Sequence, residues 1–340
     1  MGEFCREGSL LFNNLSRTPI LPCAVRVLVT GGAGFIGTNL ARRLAREGHD
    51  VIVLDNLSTG REENVLDLVQ SGAAKLIKGD VRDEGLASTI MIDVEAVVHL
   101  AAVISVPYSV SHPAVTNEVN VSGTVNLLKA AVDREVSRFV YVSSCAVYGE
   151  AKYLPIDENH PKAPMSPYAA SKLCSEAYCE AFHEAYGLNT STLRLFNVYG
   201  PYQQGNPYAG VIVQFGEGLR KGDPLTIHGD GKQTRDFVHV FDVVDAIHRS
   251  LSNTHLSGKV FNIGSGDSTS IEELAGLMSR LYHTKPTMVR STSRSGDIRN
   301  SQADIRRARS ELGYDPRIKL EEGLSMLLSA QEASVRTSCR

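Results

Sequence analysis

The chain contains no apolar run of membrane-spanning length, no CxxC pair, no internal repeat, no low-complexity segment and no excess of positive charge. The first absence excludes a helical membrane anchor. Six cysteines are present, at 5, 23, 145, 174, 179 and 339. Their spacing indicates neither a zinc site nor a disulfide framework, so a reducing compartment, the cytoplasm, is expected. Cys174 and Cys179 are five apart and fall on different faces of a helix. A net charge of −3 with 21% charged residues leaves no broad basic face, so neither nucleic acid nor a membrane surface is expected as a partner. At 340 residues the chain can bury a large core and hold two domains. The first 24 residues mix Cys5, Arg6, Pro19 and Pro22 with short apolar pieces. Ser9-Leu10-Leu11-Phe12 is too short for the core of a signal peptide, so 1–24 reads as an extension outside the fold.

The densest information lies between Arg26 and Gly37. The run Arg26-Val27-Leu28-Val29-Thr30 ends at Gly31, Gly34 and Gly37, and a helical pattern follows. A strand, a tight turn and a helix N-terminus are implied. Gly31 permits the turn, Gly34 lets backbone approach a diphosphate, and Gly37 lets helix pack on strand. Phe35 and Ile36 open the helix, whose free N–H groups face the ligand. A second buried run, Val51 to Leu54, ends in Asp55 about twenty residues later, where a ribose-binding acid is expected. A carboxylate there repels a 2′-phosphate, which argues for NAD over NADP. Further strands end at Asp80, followed by Val81, and at Leu100-Ala101-Ala102. Asp80 is a candidate acceptor for the adenine amino group, and the small alanines let the cofactor pass the strand tip.

Strands and helices alternate from Val25 to Phe196. The pattern predicts helices over Ala41–Glu47, Asn120–Ala131 and Ser166–Tyr186, the last stopped by Gly187, and strands over Arg138–Ser144, Asn189–Phe196 and Val260–Ile263. The fold class is α/β: a doubly wound parallel sheet, Rossmann-like, with a second, smaller α/β domain. In Ser166-Pro167-Tyr168-Ala169-Ala170-Ser171-Lys172, Tyr168 and Lys172 are i and i+4 on one helix face. The ammonium is expected to lower the tyrosine pKa toward working pH, and the lysine can also bond the nicotinamide ribose. With Ser144 at a strand tip, the three form one alcohol–carbonyl oxidoreductase site.

The sequence thereby resembles the extended short-chain dehydrogenase/reductase family, and within it the nucleotide-sugar 4-epimerases of the UDP-glucose 4-epimerase type. The resemblance runs from about Val25 to Leu328. It is carried by Thr30 to Gly37, by Asp55-Asn56-Leu57-Ser58-Thr59-Gly60, and by Gly79-Asp80, His99 to Ala102 and Asn120-Val121-Ser122-Gly123-Thr124. Ser143-Ser144, Tyr168 with Lys172, Leu193 to Asn197, Gln233 to Val240 and Arg294 to Asp297 complete it. The resemblance implies bound NAD, held by Asn56, Ser58, Thr59, Gly60 and Asn120 besides the residues above. It also implies Tyr168 as base and Ser144 bonded to the sugar 4-oxygen. Asn197, Arg235 and Arg294 become diphosphate contacts, Asp297 a ribose-binding acid, and a UDP-sugar the substrate. An NAD-binding domain is expected over 25–196 and 236–263, a nucleotide-sugar domain over 197–235 and 264–330, and a tail over 331–340. Related dehydratases carry an Asp-Glu pair after the strand-tip hydroxyl. Here Cys145-Ala146 stand there, which leaves reversible C4 epimerisation of UDP-glucose/UDP-galactose. The residue matching the family's pocket gate is Ser301, small enough to admit UDP-GlcNAc/UDP-GalNAc. Two helices, around 110–131 and 166–186, match the family's intersubunit bundle, so a C2 homodimer is expected. A UDP-glucuronate or dTDP-sugar 4-epimerase shares the same catalytic residues; a non-catalytic NAD sensor has no need of all three.

Overall fold

The computed structural model describes residues 24–203, 210–292 and 298–338. Seven parallel strands form the central sheet: β1 (Arg26–Thr30), β2 (Asp50–Asp55), β3 (Ala74–Lys78), β4 (Ala96–His99), β5 (Arg138–Ser144), β6 (Thr190–Leu195) and, later in the chain, Lys259–Ile263. The order across the sheet begins with Lys259–Ile263 and continues β6-β5-β4-β1-β2-β3. The chain reverses its direction of travel between β1 and β4, and ligands of such sheets bind at the crevice beyond that switch.

The strands are apolar runs because both sheet faces are covered. Their side chains alternate between two cores. Val27, Val29, Val51, Val53, Val140 and Val142 belong to one, and Leu28, Ile52, Leu54, Phe139 and Tyr141 to the other. The return of Lys259–Ile263 beside β6 follows from the same rule, since Phe261 and Ile263 are fully buried.

The helix Pro167–Tyr186 shows how local sequence sets the frame of the site. Ser166 accepts from Ala169 N, Pro167 stands at the first turn, and Gly187 ends the helix in a left-handed conformation at φ 70°. These are the ordinary start and stop signals of a helix. The predicted helix over Asn120–Ala131 differs in detail. A single π-helical turn, Glu118–Ser122, precedes the α-helix Gly123–Asp133. Such turns widen the helix where a side chain must leave its ordinary direction.

The segments between and after these elements build a smaller unit. Its core holds Tyr199, Phe215, Leu225, Ile227, Phe237, Leu274, Met278 and Leu324, from the helices Val211–Lys221, Ile271–Leu281 and Leu320–Ser338 and from short paired strands. The last helix runs across the boundary between 330 and 331, where the tail is expected to begin. Residues 1–23 of the expected extension lie outside the described residues. Among the described residues no helix is long and apolar enough to cross a membrane.

Candidate active site

The glycine turn closes the tip of β1. Gly31 has φ +68°, and a Cβ placed on it would stand 2.8 Å from Ala101 N on the neighbouring strand tip. A Cβ on Gly37 would collide with Gly31 O. Gly34 caps the helix Phe35–Arg46 with no side-chain bond to its first amides. Backbone alone therefore lines the cradle between β1, β4 and that helix end, and a dinucleotide diphosphate fits it. Phe35 and Ile36 seat the helix on the core, and Leu100 packs beside them. Ala101 packs against the other core, and Ala102 is partly exposed.

Asp55 Oδ2 accepts from Ala33 N at 3.0 Å and Oδ1 from Leu57 N at 2.8 Å. Burial raises its pKa above the ordinary carboxylate value, against those two hydrogen bonds. Gly60 lies on the carboxylate with no room for a side chain. The acid thus fixes the glycine loop. The loop with Ser58 and Thr59 closes through Ser58 N to Asn56 Oδ1, 3.0 Å, and Arg61 N to Ala33 O, 3.1 Å. Asp80 is gripped by Arg82 through two side-chain bonds of 2.9 Å and by Asn56 Nδ2 at 2.9 Å. The Arg82 guanidinium holds that carboxyl well below its ordinary range. Arg82 was missed from the sequence; the Asp-x-Arg spacing was its signal. Val81 is buried below Gly123.

At the tip of β5, Ser144 accepts from Ala146 N at 3.2 Å and acts on Tyr168, drawing its pKa down. Lys172, 4% exposed, donates to Val142 O at 2.9 Å and lies 5.0 Å over the Tyr141 ring. Burial draws its pKa down to about 8. The sequence reading expected Lys172 to lower the Tyr168 pKa. The structure corrects this: desolvation pushes Tyr168 up to about 12, with only Ser144 pulling it down.

Two polar networks flank Lys172. On the β1 side, buried His99 links Thr30 Oγ1 at 2.7 Å to Thr124 Oγ1 at 2.9 Å. Burial brings the His99 pKa down to about 3, so the ring is neutral. From the π-turn, Asn120 reaches Val103 N and O at 2.7 and 3.0 Å and Ser171 Oγ at 2.8 Å. It thereby ties the loop after β4 to the Tyr168 helix, a positioning task in addition to the cofactor role expected of it. On the β6 side, Ser143 Oγ donates to Glu176 Oε1 at 2.5 Å, and Arg194 grips Glu176 at 2.7 Å. The sequence reading missed Glu176, whose signal was its place one helical turn beyond Lys172.

The residues expected to hold the substrate come from distant segments. Asn197 follows β6 and donates its N–H to Asp236 O at 2.9 Å. Arg235 is partly buried and donates to Thr234 O at 2.8 Å. Ser301 is buried and acts on the Cys145 thiol, drawing its pKa down while burial pushes it up to about 12. Asp236 holds these pieces together: it accepts from Ser265 N, Ser265 Oγ, Gly266 N and Ala303 N at 2.7 to 3.0 Å. Burial brings it up to about 6. Arg294 and Asp297 lie outside the described residues.

Residues 27–264 match the model of the NAD dependent epimerase/dehydratase family. The chain is 41% identical to a UDP-glucose 4-epimerase of Mycolicibacterium smegmatis, over 88% of this chain and 96% of the relative. A UDP-glucose 4-epimerase of Thermotoga maritima, solved with UDP-glucose, superposes with a TM-score of 0.87 at 36% identity, covering 92% of this chain and 100% of that one. A UDP-N-acetylglucosamine 4-epimerase of Methanobrevibacter ruminantium, solved with UDP-N-acetylmuramic acid, has a TM-score of 0.87 at 35% identity, covering 92% and 99%. A UDP-glucuronic acid decarboxylase and a dTDP-glucose 4,6-dehydratase are also among the matches.

Proposed function

The chain belongs to the NAD dependent epimerase/dehydratase family, and from that premise we propose that it reversibly inverts C4 of a UDP-hexose: glucose to galactose, and N-acetylglucosamine to N-acetylgalactosamine. It is an isomerase of the UDP-glucose 4-epimerase type with NAD as cofactor. NAD supplies reversible hydride acceptance. The observation that carries the reading is the Ser144–Tyr168 pair at the β5 tip, beside buried Lys172 and followed by Cys145-Ala146 in place of a dehydratase acid pair.

Tyr168 takes the 4-hydroxyl proton while Ser144 holds the 4-oxygen. Lys172, with its pKa near 8, carries the ammonium that holds the nicotinamide ribose. Asn197, Arg235 and Arg294 hold the diphosphate, where arginine gives forked contacts, and Asp297 holds the uridine ribose. The buried Ser301–Cys145 contact supports a small gate with space for a 2-acetamido group. Exposed apolar side chains on Ile104, Val106 and Val110, together with Tyr178 and Tyr186 of the adjoining helix, support a C2 homodimer. Light scattering that returns one-chain mass at micromolar concentration rejects it. The described cysteines, Cys145, Cys174 and Cys179, are free, which supports a cytoplasmic setting.

A side-by-side incubation with UDP-glucose, UDP-GlcNAc, UDP-glucuronate and dTDP-glucose tests the function. The 4-epimers of the first two are expected by chromatography. A 4-keto-6-deoxy product, or exclusive use of UDP-glucuronate, overturns the assignment.

A further inference from the structure

The opposite end of the sheet carries a cluster that the epimerase chemistry does not use. The helix Phe35–Arg46 ends one residue before Glu47, and His49 immediately precedes β2. Gly48, at φ +86°, reverses the chain between them. His248 comes from the helix Val240–Ser252, about 200 residues later in the sequence and packed against the first helix. One atom from each of these three residues lies within 4.8 Å of the others. Glu47 Oε2 stands 2.7 Å from His248 Nε2 and 4.0 Å from His49 Nε2.

Both imidazoles are buried, each side chain 1% exposed. Yet Glu47 Oε2, His49 Nε2 and both ring nitrogens of His248 make no hydrogen bond among the described residues; Glu47 Oε2 and His248 Nε2 meet as an ion pair. Three of these atoms, one from each residue, converge in one place, more than native interiors ordinarily leave, and a bound ion or water answers the deficit. The chemistry favours an ion. Two imidazoles and one carboxylate form a zinc ligand set that keeps a fourth position for water. A tetrahedral ion with ligands at about 2.1 Å needs them about 3.4 Å apart, a value between the two spacings above, so small side-chain rotations suffice. Arg43 Nε holds the other Glu47 oxygen at 2.9 Å, which fixes the carboxylate from behind.

We infer that Glu47, His49 and His248 bind one divalent transition-metal ion of the zinc class, which staples the first helix, the start of β2 and the helix Val240–Ser252. Binding through His49 Nε2 moves its proton to Nδ1, so it gives up the 3.3 Å bond that Val25 N donates there.

The test uses full-length protein stripped with a chelator and titrated with Co²⁺ by absorbance and with Zn²⁺ by calorimetry. One equivalent of saturable binding is expected, with the visible bands of four-coordinate cobalt. Zn²⁺ at a hundredfold excess over its Kd should raise Tm by about 5 °C. His248→Gln should lose the bands and the shift while keeping the wild-type epimerase rate; His49→Gln serves if that variant does not fold. Absence of saturable binding, or equal binding by wild type and both variants, overturns the proposal. A Tm that responds to pH but not to metal also overturns it, and leaves Glu47 and His248 as a buried ion pair.

Discussion

The two halves of the site are built in different ways. The cofactor half is made largely by backbone: Gly31 against Ala101, Gly37 against Gly31, and Asp55 holding the amides of Ala33 and Leu57. The half proposed to take the sugar, the sugar half, is made by side chains brought from far apart. Ser301 reaches Cys145, and Asp236 ties Ser265 and Gly266 to Ala303. A crevice of backbone amides admits one class of ligand, a diphosphate, and tolerates little variation. A pocket of distant side chains can change its ligand by changing one residue. The difference explains how one fold serves epimerases, decarboxylases and dehydratases with a common cofactor.

The comparison breaks most visibly at the residue shared by both halves. Tyr168→Phe should lower kcat by about 10²-fold or more while the bound NAD content stays unchanged. Normal turnover in that variant, measured with UDP-glucose, displaces Tyr168 from the chemistry. Next in size comes the cofactor half. Gly31→Val combines a left-handed backbone with a clash at Ala101, and strain of that kind costs about 1–3 kcal/mol. NAD retained through purification, assayed after denaturation, should fall at least about tenfold. Retention at the wild-type level means that the backbone does not set the cradle.

Smaller effects belong to the sugar half. Ser301→Tyr should lower kcat/KM for UDP-GlcNAc by about tenfold, or about 1.4 kcal/mol, while UDP-glucose changes little. Equal losses on both sugars place the gate elsewhere. The smallest effect is a pH dependence of stability from the neutral network. Folded His99 has a pKa near 3, whereas the unfolded imidazole binds a proton below about 6.5. Between those values the unfolded state holds more protons, so stability is full above the window and falls as pH drops through it, by up to about 1.4 kcal/mol per unit. Denaturant titrations of His99→Gln should lack this contribution; an unchanged acid slope assigns it to other groups.

Legibility from the sequence follows the same division. Arg138–Ser144 is a strand with the predicted ends, and the Ser166 and Gly187 signals bound the Tyr168 helix as expected. The helix signals act within a few residues, and the strand is marked by its own apolar run. The π-turn that aims Asn120 at Val103 was not legible, because its cause is a loop 17 residues away. Nor was the Glu176–Arg194 pair, which joins a helix to a strand across the sheet. The expected effect of Lys172 on Tyr168 failed for a related reason: helical spacing places two residues on one face, but burial decides their charges. Arg294 and Asp297 carry half of the diphosphate and ribose assignment and rest on the resemblance alone.

The central claim is that the hydrogen at C4 leaves and returns without exchanging with water. UDP-glucose deuterated at C4, turned over in ordinary water and analysed by mass and NMR spectroscopy, tests it directly. The UDP-galactose formed is predicted to keep the deuterium at C4. Product with hydrogen at C4, drawn from solvent, contradicts the account.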